Sequence, residues 1–238
     1  MVAAETTPEG RIDLLEAYVA KDVREEIQQE AAVKNLDSFA RFLEISGIMN
    51  AQVTNIAGIA RDAAVARPTV QGYFQVLIDT LIGVWLPSWR PRMKIKEVSH
   101  SKFYFFDPGV VRGVGRRLRE PLGEDERGWL LETVVLHELR SWIEMANAGG
   151  ELFYWRTPSG TEVDFVWVRG SLTLGIEVKA TRRWKPEFGR ALREMHDAGS
   201  IAGCLGVYYG SERLQDGPVC VLPIKEFTRD LAEGRVFS

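Results

Sequence analysis

Apolar positions along this chain change their period several times, and each change predicts an element. Leu14, Leu15, Tyr18, Val19 and Val23 recur at helical spacing across residues 10–29. Residues 36–48 form an amphipathic helical pattern and 56–63 a shorter apolar one. After a turn at Val65, Ala66 and Arg67, Pro68 opens a third helix, with Val70, Phe74, Leu77 and Leu81 facing inward. The period then drops to two: residues 83–86 and 102–106 read as extended segments. Residues 109–125, rich in Gly, Arg and Glu, read as a linker. A long helical pattern over 128–147 follows. Strands come next, within 154–167 and over 172–180, the second pair forming a hairpin about the turn at 168–171. An amphipathic helix over 185–198, a strand over 202–209, and a last strand and helix over 219–222 and 225–231 complete the order, the final two reading as edge structure.

Strand periodicity places the candidate chemistry. Side chains two apart share a face, so Glu177 and Lys179 emerge together while Ile176 and Val178 turn away. In the hairpin Asp164 reaches Glu177, and two carboxylates converge with an ammonium beside them. Such oxygens suit a hard divalent cation, Mg²⁺ or Mn²⁺, held between protein carboxylates and a phosphate. Lys179 then positions the attacking water and offsets developing charge. A short Glu-x-Lys pattern is also what a solvated strand face looks like. Here no other acid in the chain is followed two residues later by Lys. Arg182, Arg183 and Lys185 follow directly, placed to grip phosphates or to solubilise a loop, and Trp184 among them packs under that loop or meets a base. Tyr154, Trp155 and Trp167 read as sheet packing.

The first half, 36–110, has the order of a winged helix-turn-helix. Arg90, Arg92, Lys94 and Lys96 alternate between its extended segments, so one face of a ribbon would present all four to a phosphate backbone. The third helix is a weaker reader: it shows Gln71, Gly72, Gln75 and Asp79 outward, with only Arg67 positive at its start. DNA contact and docking to another subunit both remain open readings of this half.

Residues 124–238 resemble a PD-(D/E)XK nuclease-like domain. Residues 12–225 resemble the uncharacterised C-terminal region of prokaryotic AAA-type ATP-binding proteins, on Leu36-Asp37-Ser38-Phe39 with Phe42-Leu43, Arg67-Pro68-Thr69-Val70 with Tyr73, Phe103 to Gly109, Gly128 with Glu132, and Glu138-Leu139. The resemblance implies an α/β fold (α+β overall): a helical tail over 1–35, the winged helix over 36–110, a linker over 111–123 and the nuclease-like domain over 124–238. It also implies a further acid from the first helix of that domain, where Glu132 stands four residues after Gly128 and Glu138 is the second candidate. The ATPase half of such proteins carries a Gly-x-x-x-x-Gly-Lys-Ser/Thr loop, but no Gly-Lys pair occurs here, so no ATP binding is expected.

Composition narrows the classes. Net charge is −3, yet residues 84–119 hold nine Lys/Arg against two Asp/Glu, and residues 1–50 five against ten. Two cysteines without a CxxC motif, and no apolar run of membrane-spanning length, suit a cytoplasmic chain with no membrane partner. His100, His137 and His196 are scattered, and no zinc-peptidase motif is present. The expectation is a DNA-associated, Mg²⁺-dependent phosphodiester hydrolase, with Asp164 and Glu177 as metal ligands, Lys179 and Glu132 assisting, and an AAA-type ATPase or a second copy as partner. A non-catalytic docking or sensing module and a winged-helix regulator are the alternatives.

Overall fold

The structure is a computed structural model, and it describes residues 5, 7–23, 35–90 and 100–236. The protein is mixed α/β. It divides into two compact units, Met1–Trp85 with His100–Gly123, and Leu86–Ser99 with Glu124–Ser238.

In the first unit, polar caps start the helices where the sequence places them. Thr7 caps α1 (Pro8–Ala17), Asn35 caps α2 (Leu36–Ile48) and Asn55 caps α3 (Ile56–Asp62), each side-chain oxygen accepting from a first-turn N–H. Helix α4 (Arg67–Asp79) has Pro in its first turn. Strands β1 (Gly83–Leu86) and β2 (Lys102–Phe105) make a two-stranded ribbon, and Val53 adds an antiparallel bridge to Lys102. An aromatic cluster holds these together: Phe42, Tyr73, Phe74, Trp85 and Phe103 sit with ring centroids 4.7–5.2 Å apart. Gly83 admits the Phe103 ring, since a Cβ there would lie 2.2 Å from it.

Two expectations are corrected here. Leu81 is not inward: it is 82% exposed at φ 60°, because α4 has ended and the chain turns through a left-handed residue that buries Ile82 instead. The segment taken as a linker begins inside α5 (Pro108–Val114), capped by Asp107, with Val110, Val111 and Val114 buried. Its glycines serve close packing: a Cβ on Gly113 would lie 2.7 Å from Val19, and one on Gly109 2.9 Å from Leu15. The described part of the supposed tail therefore packs within the first unit, and Arg119 pairs with Asp13 at 2.7 Å and Glu16 at 3.0 Å.

Gly72 is a glycine with no such duty. It is exposed in mid-α4, and a Cβ there meets nothing within 4 Å. Gly72→Ala is expected to raise the unfolding free energy by about 0.5–1 kcal/mol, mostly by restricting the unfolded chain, as read from urea midpoints at unchanged m-value.

The second unit is built on a six-stranded mixed sheet of order β3-β4-β5-β6-β8-β7. Its strands are β3 (Glu151–Arg156), β4 (Glu162–Arg169), β5 (Leu172–Lys179), β6 (Gly203–Tyr208), β7 (Leu214–Asp216) and β8 (Val219–Pro223). β3, β4 and β5 pair antiparallel, whereas β5, β6 and β8 are parallel. Helix α6 (Glu124–Met145) lies on one face, its Trp142 against Trp167 with centroids 5.5 Å apart, and packs with α8 (Ile224–Ala232). Helix α7 (Arg190–Asp197), entered through a 3₁₀ turn (Pro186–Gly189), covers the other, where Val166, Leu192, Met195, Ile201 and Val221 form a core. β8 is not edge structure: β6 and β7 flank it and Val219 and Val221 are fully buried. The short polar β7, which the sequence pattern did not reveal, is the strand that ends the sheet.

Candidate active site

The β4–β5 ladder runs from Arg169↔Leu172 to Phe165↔Ile176 and then opens. At the opening, the Val178 N–H donates to Asp164 Oδ2 at 2.7 Å in place of a backbone carbonyl. Asp164 is thereby fixed beside β5, and Glu177 and Lys179 stand on the same side of the sheet. Lys179 Nζ donates to Glu177 Oε1 and lies 3.9 Å from Asp164 Oδ2. The three predicted residues are thus brought together. They do not form a solvated stripe: Asp164 and Glu177 are each only 6% exposed.

Burying two carboxylates together is costly unless positive charge compensates. Burial first, then the Asp164 charge, and at longer reach Glu132, push Glu177 well above the usual carboxylate range, while Lys179 pulls it back in part. Burial would lower Lys179, but Asp164, Glu177 and Glu132 more than offset it and hold the ammonium firmly protonated. The compensation is incomplete. Glu177 Oε2 is buried and has no hydrogen-bond partner among the described residues.

A cleft of about 850 Å³ opens at the C-terminal ends of β5 and β6. Val178, Lys179, Thr181 and Arg182 form one wall, Tyr209 another, and Arg127, Gly128, Trp129 and Glu132 of the first turns of α6 the third. Such a position, outside the carboxyl ends of parallel strands, is where open α/β sheets place ligands. Glu132 is half-buried at the cleft, whereas Glu138 is exposed and does not line it. Gly128 lines it too, so its missing side chain keeps that wall open.

Among the described residues no group of three or more His, Cys, Asp or Glu side chains is gathered to hold a metal. The donors nevertheless fit a hard cation. Mg²⁺ takes one or two carboxylates and keeps several waters, and the orphaned Glu177 Oε2 is a buried carboxyl oxygen without a partner.

The cationic residues expected to meet nucleic acid are distributed unevenly. Arg182 lines the cleft; Arg183 is exposed outside it, its carbonyl accepting from Thr181 Oγ1 at 3.0 Å. Lys185 pairs with Glu187 at 3.5 Å. Trp184 packs rather than waits for a base: it is 9% exposed, its Nε1 donates to Asp216, and its ring covers Gly206, where a Cβ would lie 2.7 Å away. Arg67 and Gln71 are exposed at the start of α4 in the first unit, and Arg90 is half-buried in the second. Arg92, Lys94 and Lys96 lie outside the described residues. Trp129, Tyr209 and Arg127 were not singled out from sequence. Trp129 stands three residues before Glu132, which is a detectable signal on a helix, but the placing of Tyr209 needs the β5–β6 pairing.

The family described as domain of unknown function DUF4143, found in AAA-ATPase-associated proteins, matches residues 127–227. The one described as domain of unknown function DUF8612 matches residues 1–120. Uncharacterised proteins of Mycobacterium tuberculosis and Mycobacterium bovis are each 29% identical over 179 residues, covering 71% of this chain and 38% of the relative. The chain therefore spans well under half the length of these relatives. Among the described residues no helix is long and apolar enough to cross a membrane.

Proposed function

We propose, for a chain that belongs to the family described as domain of unknown function DUF8612, that its second unit hydrolyses DNA phosphodiesters with the help of Mg²⁺. The observation that carries this reading is the pair of buried carboxylates, Asp164 and Glu177, gathered on Lys179, which lines an open cleft, with one Glu177 oxygen left unpaired. Structural ion pairs complete their hydrogen bonds; this one does not, and functional sites are where such incomplete burial concentrates.

In this reading Asp164 and Glu177 would hold the cation, and the Val178 N–H holds the Asp164 carboxylate in place. A cation held there would supply Lewis-acid stabilisation of the phosphoryl group and would lower the pKa of the attacking water. Lys179, kept charged by its neighbours, orients the attacking water and faces the negative charge that grows during displacement. Glu132, which lines the cleft, would assist by adding negative charge beside Glu177 and Lys179. The order of helices and ribbon in the first unit supports a winged helix, and its exposed Arg67 and Gln71 a DNA contact. The greater length of the mycobacterial relatives, and the DUF4143 match, support an AAA-type ATPase working with this unit.

Calorimetric titration of Mg²⁺ or Mn²⁺ into the wild type and Asp164→Asn, with plasmid and branched-DNA cleavage on the same samples, tests the assignment. Binding and cutting are expected in the wild type and absent in the variant. Metal-dependent cutting that survives in clean Asp164→Asn removes the site. No metal binding by the wild type leaves a docking module for an ATPase as the better reading.

A further inference from the structure

Two aromatic rings line the cleft, and the hydrolytic chemistry uses neither. Trp129 lies one turn before Glu132 on α6, and Tyr209 follows the last residue of β6. The backbone of Tyr209 is fixed, its N–H donating to Thr181 O at 3.0 Å, so the ring is held beside the strand that carries Lys179. Its neighbour Tyr208 is 3% exposed; Tyr209 is 39% exposed. Among the described residues neither Trp129 nor Tyr209 stacks on another aromatic side chain, although most rings in this protein do. Trp129 is half-buried, and both residues line the cleft.

The charges of the lining decide what those rings suit. Glu124, Asp125 and Glu132 balance Arg127, Lys179 and Arg182, so the cleft offers no continuous cationic track. A duplex, with a charge about every 1.7 Å of axis, needs such a track. An unpaired strand end needs less: a few phosphate contacts, and π faces on which bases stack at about 1–3 kcal/mol each.

We propose that the cleft receives the end of a single DNA strand, with unpaired bases stacking on Trp129 and Tyr209 and the adjoining phosphates meeting Lys179 and Arg182. Trp129 and Tyr209 are specificity residues that act on the bases rather than on the reacting atoms. The inference relies on the nuclease reading for what happens to the strand, and on the cleft alone for its binding.

Fluorescence anisotropy, with Ca²⁺ replacing Mg²⁺ to suppress cutting, separates these. The probes are a labelled thymidine strand of about ten nucleotides, an abasic strand of the same length, and a blunt duplex. Trp129→Ala and Tyr209→Ala are each expected to weaken the thymidine strand about five- to a hundredfold. Both leave the weaker abasic and duplex binding unchanged. Trp129→Phe and Tyr209→Phe, which keep a ring, retain most of the affinity and show that loss in the alanine variants is not misfolding. Equal binding of abasic and thymidine strands overturns the proposal, as does equal weakening on all three probes or no binding of the thymidine strand by the wild type. Strand binding that needs the rings, without Mg²⁺-dependent cutting, removes the nuclease reading and leaves this one. Cutting with binding indifferent to both rings does the reverse.

Discussion

Glu177→Gln is expected to abolish DNA cutting and, in the absence of metal, to make the protein more stable. The amide keeps the shape of the side chain but removes a charge that burial and Asp164 oppose. Because Glu177 is raised in the folded state, its ionisation costs stability as pH climbs from the ordinary carboxylate value towards the folded one. The variant escapes that cost. At pH 7 to 8 in EDTA, its melting temperature should exceed the wild type's by about 2–4 °C, the worth of about 1 kcal/mol in a chain of this length. The advantage should vanish at acid pH, below the ordinary carboxylate value, where Glu177 is protonated in the unfolded chain as well as in the folded one, and shrink in Mg²⁺, which only the wild type would bind. Cleavage should fall by about a thousandfold or more, since the cation's several kcal/mol of transition-state stabilisation go with the ligand. Stability traded for function is the mark of a site kept charged for a purpose. A Glu177→Gln protein that melts lower than the wild type at every pH would mark Glu177 as structural.

Lys179→Ala is expected to move stability the opposite way. Its ammonium is the one cation within 4 Å of both buried carboxylates among the described residues, and its removal leaves them facing each other uncompensated. Breaking a buried pair by deleting one partner costs about 3–5 kcal/mol when both ions are fully enclosed. Lys179 is 28% exposed, so about 2–3 kcal/mol is the reasonable expectation here. The sign with pH is fixed by the residues left behind. Without the ammonium, Glu177 rises further, so the loss is larger at alkaline pH, where burial opposes its charge, than at acid pH, where the charge is gone. Mg²⁺ should restore part of the loss by taking the ammonium's place. Cleavage should fall roughly 10²–10³-fold even in saturating Mg²⁺, the worth of one preorganised charge facing the developing one. Urea melts at acid and alkaline pH, with and without Mg²⁺, check each part.

The Asp164–Glu177–Lys179 group was legible in the sequence because strand periodicity is local: the two-residue spacing decides the shared face before any packing occurs. The same holds for α2, α3, β1 and β2 and for the start of α4, which follow apolar spacing and, at α4, a first-turn proline. Residues 111–123 failed for the converse reason. Glycine lowers helix propensity wherever it stands, and only the neighbours of Gly109 and Gly113 reveal that α5 needs them for close contact. Leu81 failed because helical spacing does not say where a helix stops.

The sequence by itself determined which side chains carry chemistry, their grouping on β4 and β5, and the order of helices and strands around them. Tertiary structure decided what the grouping means. Only the pairing of β5 with β6, and the packing of α6 across the sheet, bury the carboxylates, leave Glu177 Oε2 unpaired and place Trp129 and Tyr209 on the walls of one cleft. Periodicity assigns a residue to a face; solvation and charge balance arise from atoms far away in the chain, and those no local pattern records.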